Sequence, residues 1–355
     1  MKFIKAVSLA LAALIVFSAV SEMTIYEAYA EEGMTPEQLA QYLAKQEEEA
    51  RVAQQARDEA ATQAATLAAQ AEAQQKEASD LYQKWGANAA TLSLTTPNIP
   101  NVSKVDPKSS GVSTVDLIIF AGQSNMSGTG GNASQAPSVI KGYEFRATSD
   151  PTGLYPIAEP FGVHETGYMG ESAVVKQGSL VSAFANAYYR KSGTPIVAVS
   201  ASRGGTSSSY WATSEVRADL NSRFVKAVNY LTNNGYTVRH KYLVWLQGES
   251  DSNGITTQEQ YQKNLEAAFS SLFANGLEQV FIITPGYAQG GTIFYDDAIN
   301  AQKSLAAKSN RYTICSELLR TLPANSTYMS DAVHYNQKTL NMVGADAANH
   351  VVLGY

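Results

Sequence analysis

Leu117-Ile118-Ile119-Phe120-Ala121-Gly122-Gln123-Ser124-Asn125-Met126-Ser127-Gly128 is the stretch whose reading decides the fold. Four large apolar side chains in succession leave no polar face. Such a run reads as a strand covered on both sides, the habit of parallel sheets sandwiched between helices. Gly122 breaks the run, and a serine follows two residues later among small polar neighbours. A buried strand that ends in a glycine-marked turn and delivers a serine is one way to present a nucleophile at the carboxyl edge of a sheet. Gly, Ser and Asn are equally the ordinary residues of a plain turn. What stands at the other strand ends has to decide between the two.

Outward from this stretch, short apolar runs alternate with longer amphipathic ones. Strands are expected at Asp116–Ala121, Pro195–Ser200, Lys241–Leu246, Gln279–Thr284 and Arg311–Cys315, with helical patterns near 177–191, 214–234, 256–275, 295–309 and 337–353. Strands rich in Val and Ile separated by helices imply βαβ units. The reading is an α/β domain over residues 114–355: a three-layer α/β/α sandwich with a mostly parallel five-stranded sheet. In such a sheet the site lies outside the carboxyl ends of the strands.

Polar chemistry follows several of those ends. Ala201-Ser202-Arg203-Gly204-Gly205-Thr206 comes after the second strand, and the third runs into Gln247-Gly248-Glu249-Ser250-Asp251. Ser330-Asp331-Ala332-Val333-His334-Tyr335 stands near the C-terminus. Acyl transfer by a serine needs an imidazole to take the hydroxyl proton and an acid to hold its tautomer. Of the four histidines, His164 lies in an irregular stretch, His240 just before a strand and His350 in the closing helix. Only His334 follows a carboxylate, Asp331, at a spacing that lets one turn bring the two together. An acid three residues before another group is also a fair helix cap. The Gly204-Gly205 pair suits oxyanion donation because no side chain blocks close approach, and Gln247 can add a side-chain amide. Glu249 and Asp251 read either as helpers or as surface acids. Tyr210-Trp211, Tyr287 and Tyr328 are candidates for stacking on sugar rings. The single cysteine, Cys315, in Tyr312-Thr313-Ile314-Cys315, excludes an internal disulfide and any multi-cysteine metal site, and reads as core.

Gly122-Gln123-Ser124-Asn125-Met126, Gly204-Gly205-Thr206, Trp245-Leu246-Gln247-Gly248-Glu249-Ser250-Asp251 and Asp331-Ala332-Val333-His334 together resemble the motif blocks of the SGNH/GDSL hydrolase superfamily, and more narrowly its sialate O-acetylesterase-like branch. They come in that family's order and cover roughly residues 114–350. The resemblance implies a cofactor-free, metal-free serine esterase acting on an acetylated carbohydrate. In it Ser124 is the nucleophile, His334 the base and Asp331 its orienter. The Ser124 amide, an amide of Gly204 or Gly205 and the Gln247 side chain form the oxyanion hole, with Glu249 a candidate supporting acid. Two departures from the wider superfamily, Gln123 where it has Asp and Gln247 where it has Asn, point to the narrower branch. The rival reading is a non-catalytic glycan-binding surface protein.

Upstream, the chain has a different character. A basic start, Met1-Lys2-Phe3-Ile4-Lys5, precedes an apolar run over residues 6–20, too short to span a bilayer comfortably. With Ala28-Tyr29-Ala30 as a small-x-small cleavage site, residues 1–30 read as a secretory signal peptide. The expectation is a secreted, periplasmic or cell-surface protein without stable membrane insertion after cleavage. Thr35-Pro36-Glu37-Gln38 then opens a helix with a capping box, and no Gly or Pro interrupts the Ala/Gln/Glu-rich chain up to Trp85. A 3-4 spacing from Leu43 gives a coiled-coil pattern, so residues 31–90 read as a long helical arm capable of self-association. Residues 91–113, rich in Thr, Ser, Pro and Asn, read as a linker. The net charge of −6 lies wholly in residues 31–90, which hold eleven acids against five bases, while residues 91–355 hold nineteen of each. No basic footprint for nucleic acid exists.

Overall fold

A computed structural model describes residues 97–351 apart from 172–174 and 289–292, together with part of the segment 35–62. The first of its two units, Met1–Lys76, is seen only in that part. Its described residues from Glu37 on are helical, and the capping box forms: Thr35 N–H donates to Gln38 Oε1 at 2.9 Å and Gln38 N–H to Thr35 Oγ1 at 3.3 Å. The signal segment, most of the arm and its coiled-coil seam lie outside the described residues.

The second unit is an α/β sandwich around one sheet. In chain order its strands are β1 (Thr114–Gly122), β2 (Gly142–Arg146), β3 (Asp150–Pro156), β4 (Ile196–Ser202), β5 (Thr237–Leu246), β6 (Gln279–Ile283) and β7 (Tyr312–Ser316). They lie side by side as β3-β2-β4-β1-β5-β6-β7. All neighbours run parallel except β2 and β3. The five expected strands are all present, but the sheet has seven. The missed pair is a hairpin at one edge, Gly142-Tyr143-Glu144-Phe145-Arg146 and Asp150-Pro151-Thr152-Gly153-Leu154-Tyr155-Pro156, whose Gly, Pro and charged residues give neither an apolar run nor clean alternation. Proline is tolerated on an edge strand, and the charged pair in β2 is neutralised internally by Arg146 Nε on Glu144 at 3.0 Å.

Alternate strand residues feed two cores. Leu117, Ile119, Val197, Val199 and Leu243 face α3 (Ser214–Asn233), α4 (Gln258–Ala274) and α5 (Asp296–Lys308). Ile118, Phe120, Ala198, Val244 and Phe281 face α2 (Val181–Ser192) and α6 (Gln337–His350). A further single turn, α1 (Ser124–Ser127), follows β1 directly. Cys315 is core as expected, and burial pushes its thiol well above the usual range. From Val105 on, the segment read as linker carries structure of its own: Val105 bridges Leu154, Pro107 begins a short 3-10 turn, and Val112 is buried. Asp106, which accepts from Lys108 N–H, caps that turn.

The register explains where the site falls. Gly122 at the end of β1 lies opposite Ser202 of β4 on one side and Leu246 of β5 on the other. Three central strands thus finish level, and the residues after each of them emerge at one edge.

Candidate active site

Gly122 has φ +146, and a Cβ there would sit 2.0 Å from the Leu246 carbonyl oxygen. Only glycine fits so close a crossing of two strand ends. The turn is tied to both neighbours, with Gln123 N–H donating to Leu246 O at 3.1 Å and Arg203 N–H to Gly122 O at 2.9 Å. It delivers Ser124, almost buried, as the first residue of α1.

Asn125, whose role the sequence leaves open, connects this turn to the histidine loop. Its Nδ2 donates to Glu249 Oε1 at 2.7 Å and to Val333 O at 3.2 Å, while its Oδ1 accepts from Tyr335 N–H at 3.1 Å. The side chain beside the serine thus grips the backbone on both sides of His334. Gly130 adds to the fit, since a Cβ there would lie 2.7 Å from His334 Cβ.

Asp331 does two jobs on its loop. One oxygen accepts from Val333 and His334 N–H at 2.8 Å each, and the other pairs with His334 Nδ1 at 2.7 Å. Burial alone would raise the Asp331 carboxyl, but the imidazole's hydrogen bond and charge and the two amides together hold it below the ordinary range. No helix starts at this point; α6 begins later, capped by Asn336. Asp331 is therefore a partner of the imidazole and not a helix cap. The pairing leaves Nε2 as the nitrogen turned to other work. Among the described residues, no hydrogen bond joins it to Ser124 Oγ. Such contacts are commonly long before substrate closes the site.

The second strand end separates the two glycines. A Cβ on Gly204 would be 3.4 Å from Ser124 Cβ, so this backbone lies against Ser124. Gly205, at φ +68, serves the turn and is exposed. The Gly204 N–H meets an acceptor at 2.7 Å, the carboxylate of Glu171. Nothing in the sequence singled out that residue, which stands 33 positions away in a stretch without a motif.

Gln247, expected as an oxyanion donor, is hydrogen-bonded within the strand-end loops. Its Nε2 donates to Asp251 Oδ2 at 2.5 Å, Thr206 O at 3.0 Å and Gln123 Oε1 at 3.2 Å, and its Oε1 accepts from Tyr261 OH at 2.8 Å. A fully buried amide must satisfy its own groups, and these partners consume all of them. Gln123 is the matching brace, accepting Gln247 and also Ser250 N–H. Asp251, equally buried, accepts from Ser208 N–H and Oγ and from Thr256 Oγ1, which ties the strand-end loops together. Glu249 makes no hydrogen bond to His334 among the described residues. It holds Asn125, its other oxygen has no partner, and burial drives its carboxyl above the ordinary range despite the Asn125 bond.

The aromatic candidates divide. Trp211 is core, edge-on to Trp245, with its indole N–H on Thr206 Oγ1. Tyr287 lies under Arg320, and Tyr328 under Lys338. Tyr210 is half-buried, and its hydroxyl donates to Tyr168 O beside Arg203. Two further histidines are remote in role: His240 pairs with Glu278, and His350 with Asp346. Among the described residues no cluster of His, Cys, Asp or Glu could hold a metal ion.

Comparison with known proteins follows from this geometry. A family profile described as carbohydrate esterase, sialic acid-specific acetylesterase matches residues 114–352. No curated protein matches the chain. Among solved structures, a protein from Arabidopsis thaliana is 20% identical, covering 67% of this chain and 97% of its own, with a TM-score of 0.47. The structure of NanS is 13% identical over 66% of this chain and 95% of its own, at a TM-score of 0.42. A mutant of Axe2, an acetyl-xylooligosaccharide esterase from Geobacillus, is 12% identical over 66% and 93%, at 0.38.

Proposed function

Because the chain belongs to the sialic acid-specific carbohydrate esterase family, we propose that it removes O-acetyl groups from a sialylated or related acetylated carbohydrate through a Ser124–His334–Asp331 acyl-enzyme mechanism. The observation that carries the reading is the Asp331–His334 pair at 2.7 Å, in a loop clipped in place by Asn125, the residue after Ser124. Ser124 Oγ attacks the acetyl carbonyl while its proton passes to His334 Nε2. The Asp331 carboxylate stabilises the imidazolium that forms. The developing oxyanion is met by the Ser124 and Gly204 amides, a reading supported by the 3.4 Å between a Cβ built on Gly204 and Ser124 Cβ. Collapse of the intermediate breaks the carbonyl–sugar bond, and His334 returns its proton to the sugar oxygen. Water, deprotonated by the same nitrogen, then attacks the acetyl-serine, releasing acetate and restoring Ser124.

Replacing Ser124 by Ala should cut turnover of an acetylated sugar by about a thousandfold or more. Unchanged acetate release would end the serine mechanism. Reaction of Ser124 with an organophosphonate separates this reading from a glycan-binding protein, which should not label. We further propose that the chain is exported and cleaved after Ala30, and that residues 31–90 self-associate. N-terminal sequencing of the exported protein and sedimentation of the full chain against one lacking the arm check the two points. The apolar run at residues 6–20 and the Thr35–Gln38 capping box support them.

A further inference from the structure

Gly204 N–H, Ser124 and a carboxylate share one small space. Glu171 Oε1 accepts from Gly204 N–H at 2.7 Å. A Cβ placed on Gly204 would meet that oxygen at 2.9 Å, Ser124 Cβ at 3.4 Å and Ser124 Cα at 3.7 Å. This is the place an ester's carbonyl oxygen must take, because an oxyanion is stabilised only by donors within hydrogen-bond reach of it and of the nucleophile. A carboxylate is the right shape and charge to fill it. Acetate, the expected product, carries the same group.

The contact differs from that of Glu159, a buried acid that uses both oxygens, accepting from Phe161 N–H, Ser179 N–H and Oγ, and Ser182 Oγ. Glu171 Oε2 is instead buried with no hydrogen-bond partner among the described residues. An unpaired buried polar atom costs roughly 1–3 kcal/mol, so the arrangement is held by one good bond and opposed by one missing bond. Lys176, fully buried, stands at this end of the sheet and donates to Ser202 Oγ at 3.0 Å at the end of β4. Burial lowers its pKa, and the Glu171 carboxylate is the first of the acids that oppose that shift.

We propose that Glu171 is an internal occupant of the acyl-oxygen site, holding Gly204 N–H in the resting protein and withdrawing before an ester carbonyl can bind. It governs access to the reaction and takes no part in bond-making. Any small carboxylate, acetate included, competes with it for the same donor. The proposal rests on the reading of Ser124 as nucleophile and Gly204 as oxyanion donor. The productive fraction of the protein is then set by how often the side chain is away, and removing it raises apparent efficiency by the inverse of that fraction.

The test uses the full chain and its Glu171→Ala and Glu171→Gln variants, with p-nitrophenyl acetate as substrate, acetate as inhibitor and an organophosphonate to count reactive Ser124. Glu171→Ala should raise kcat/KM by about threefold or more and lower the acetate inhibition constant by a similar factor. Glu171→Gln, a weaker acceptor of the same shape, should fall between. Should the alanine variant melt, the glutamine variant carries the comparison alone. Equal or lower kcat/KM in a folded variant, with acetate inhibition unmoved, overturns the proposal. A wild-type protein that neither turns over substrate nor labels overturns the underlying reading instead, so the two failures are distinct.

Discussion

Asn125 links the Ser124 turn to the His334 loop. Its three bonds reach Glu249, Val333 and Tyr335, so Asn125→Ala leaves an acid oxygen and a backbone amide stranded and frees the His334 loop. Turnover should fall by about ten- to a hundredfold, with kcat affected more than KM, as for other groups that orient a catalytic residue. Steady-state kinetics on an acetyl ester check this; a change confined to KM would assign Asn125 to substrate binding. Glu249→Gln asks a different question. Burial holds the Glu249 carboxyl above its ordinary range, so the folded chain binds that proton more tightly than the unfolded one does. Stability contributed this way is lost as pH rises from the unfolded value of about 4.3 through the folded one. A glutamine keeps the Asn125 bond and cannot titrate, so the variant's melting temperature should decline less than the wild type's over that rise. At this scale the sequence shows the chemistry but not its wiring. Asp331 and His334 are close in the chain, and their pairing is legible from spacing. Asn125 and Glu171 act on partners 208 and 33 residues away, and Gln247 is captured by Asp251 and Tyr261. No local pattern announces such partners.

The elements that hold the site are the ends of β4, β1 and β5. Gly122→Ala would drive a methyl group to 2.0 Å from the Leu246 carbonyl at a backbone angle L-residues avoid. A loss of about 3 kcal/mol or more is expected, read as a lower urea midpoint, because neither strand can retreat without breaking its ladder. Arg223 of α3 is a second fixed point. Its guanidinium, fully buried, donates to Glu165 Oε2 and Thr166 O at 2.5 Å each, to Ser200 O at 3.0 Å and to Asp219 Oδ2 at 3.2 Å. Arg223→Ala removes the charge partner of the buried Glu165 carboxylate and leaves it only Thr148 Oγ1 among the described residues, its other oxygen having no partner there. The cost should be about 3–5 kcal/mol, measured by denaturation. Five of the six parallel strands are readable because burial on both faces demands unbroken apolar runs. The β2–β3 hairpin is not. Glu144 and Arg146 enter a buried strand only because each neutralises the other, a tertiary fact with no periodicity.

Across the whole molecule, the acidic surplus lies in residues 31–90, and residues 91–355 balance to zero. Among the described residues no helix is long and apolar enough to cross a membrane. The sheet order also sets a sequence of events. β1 is the first strand of the domain to be made, yet it ends in the middle, between β4 and β5. Its partners begin at Ile196 and Thr237, so its two ladders cannot both close until the chain has been made through β5. Until then the largely apolar stretch Val115 to Ala121 has at least one edge unpaired, the kind of segment that nucleates aggregation. Non-local pairing of this sort is also slow. Refolding from denaturant should therefore lose yield steeply as protein concentration rises, as measured by recovered activity against dilution. The strand that places the serine at the heart of the finished enzyme is the one most exposed while the chain is still being built.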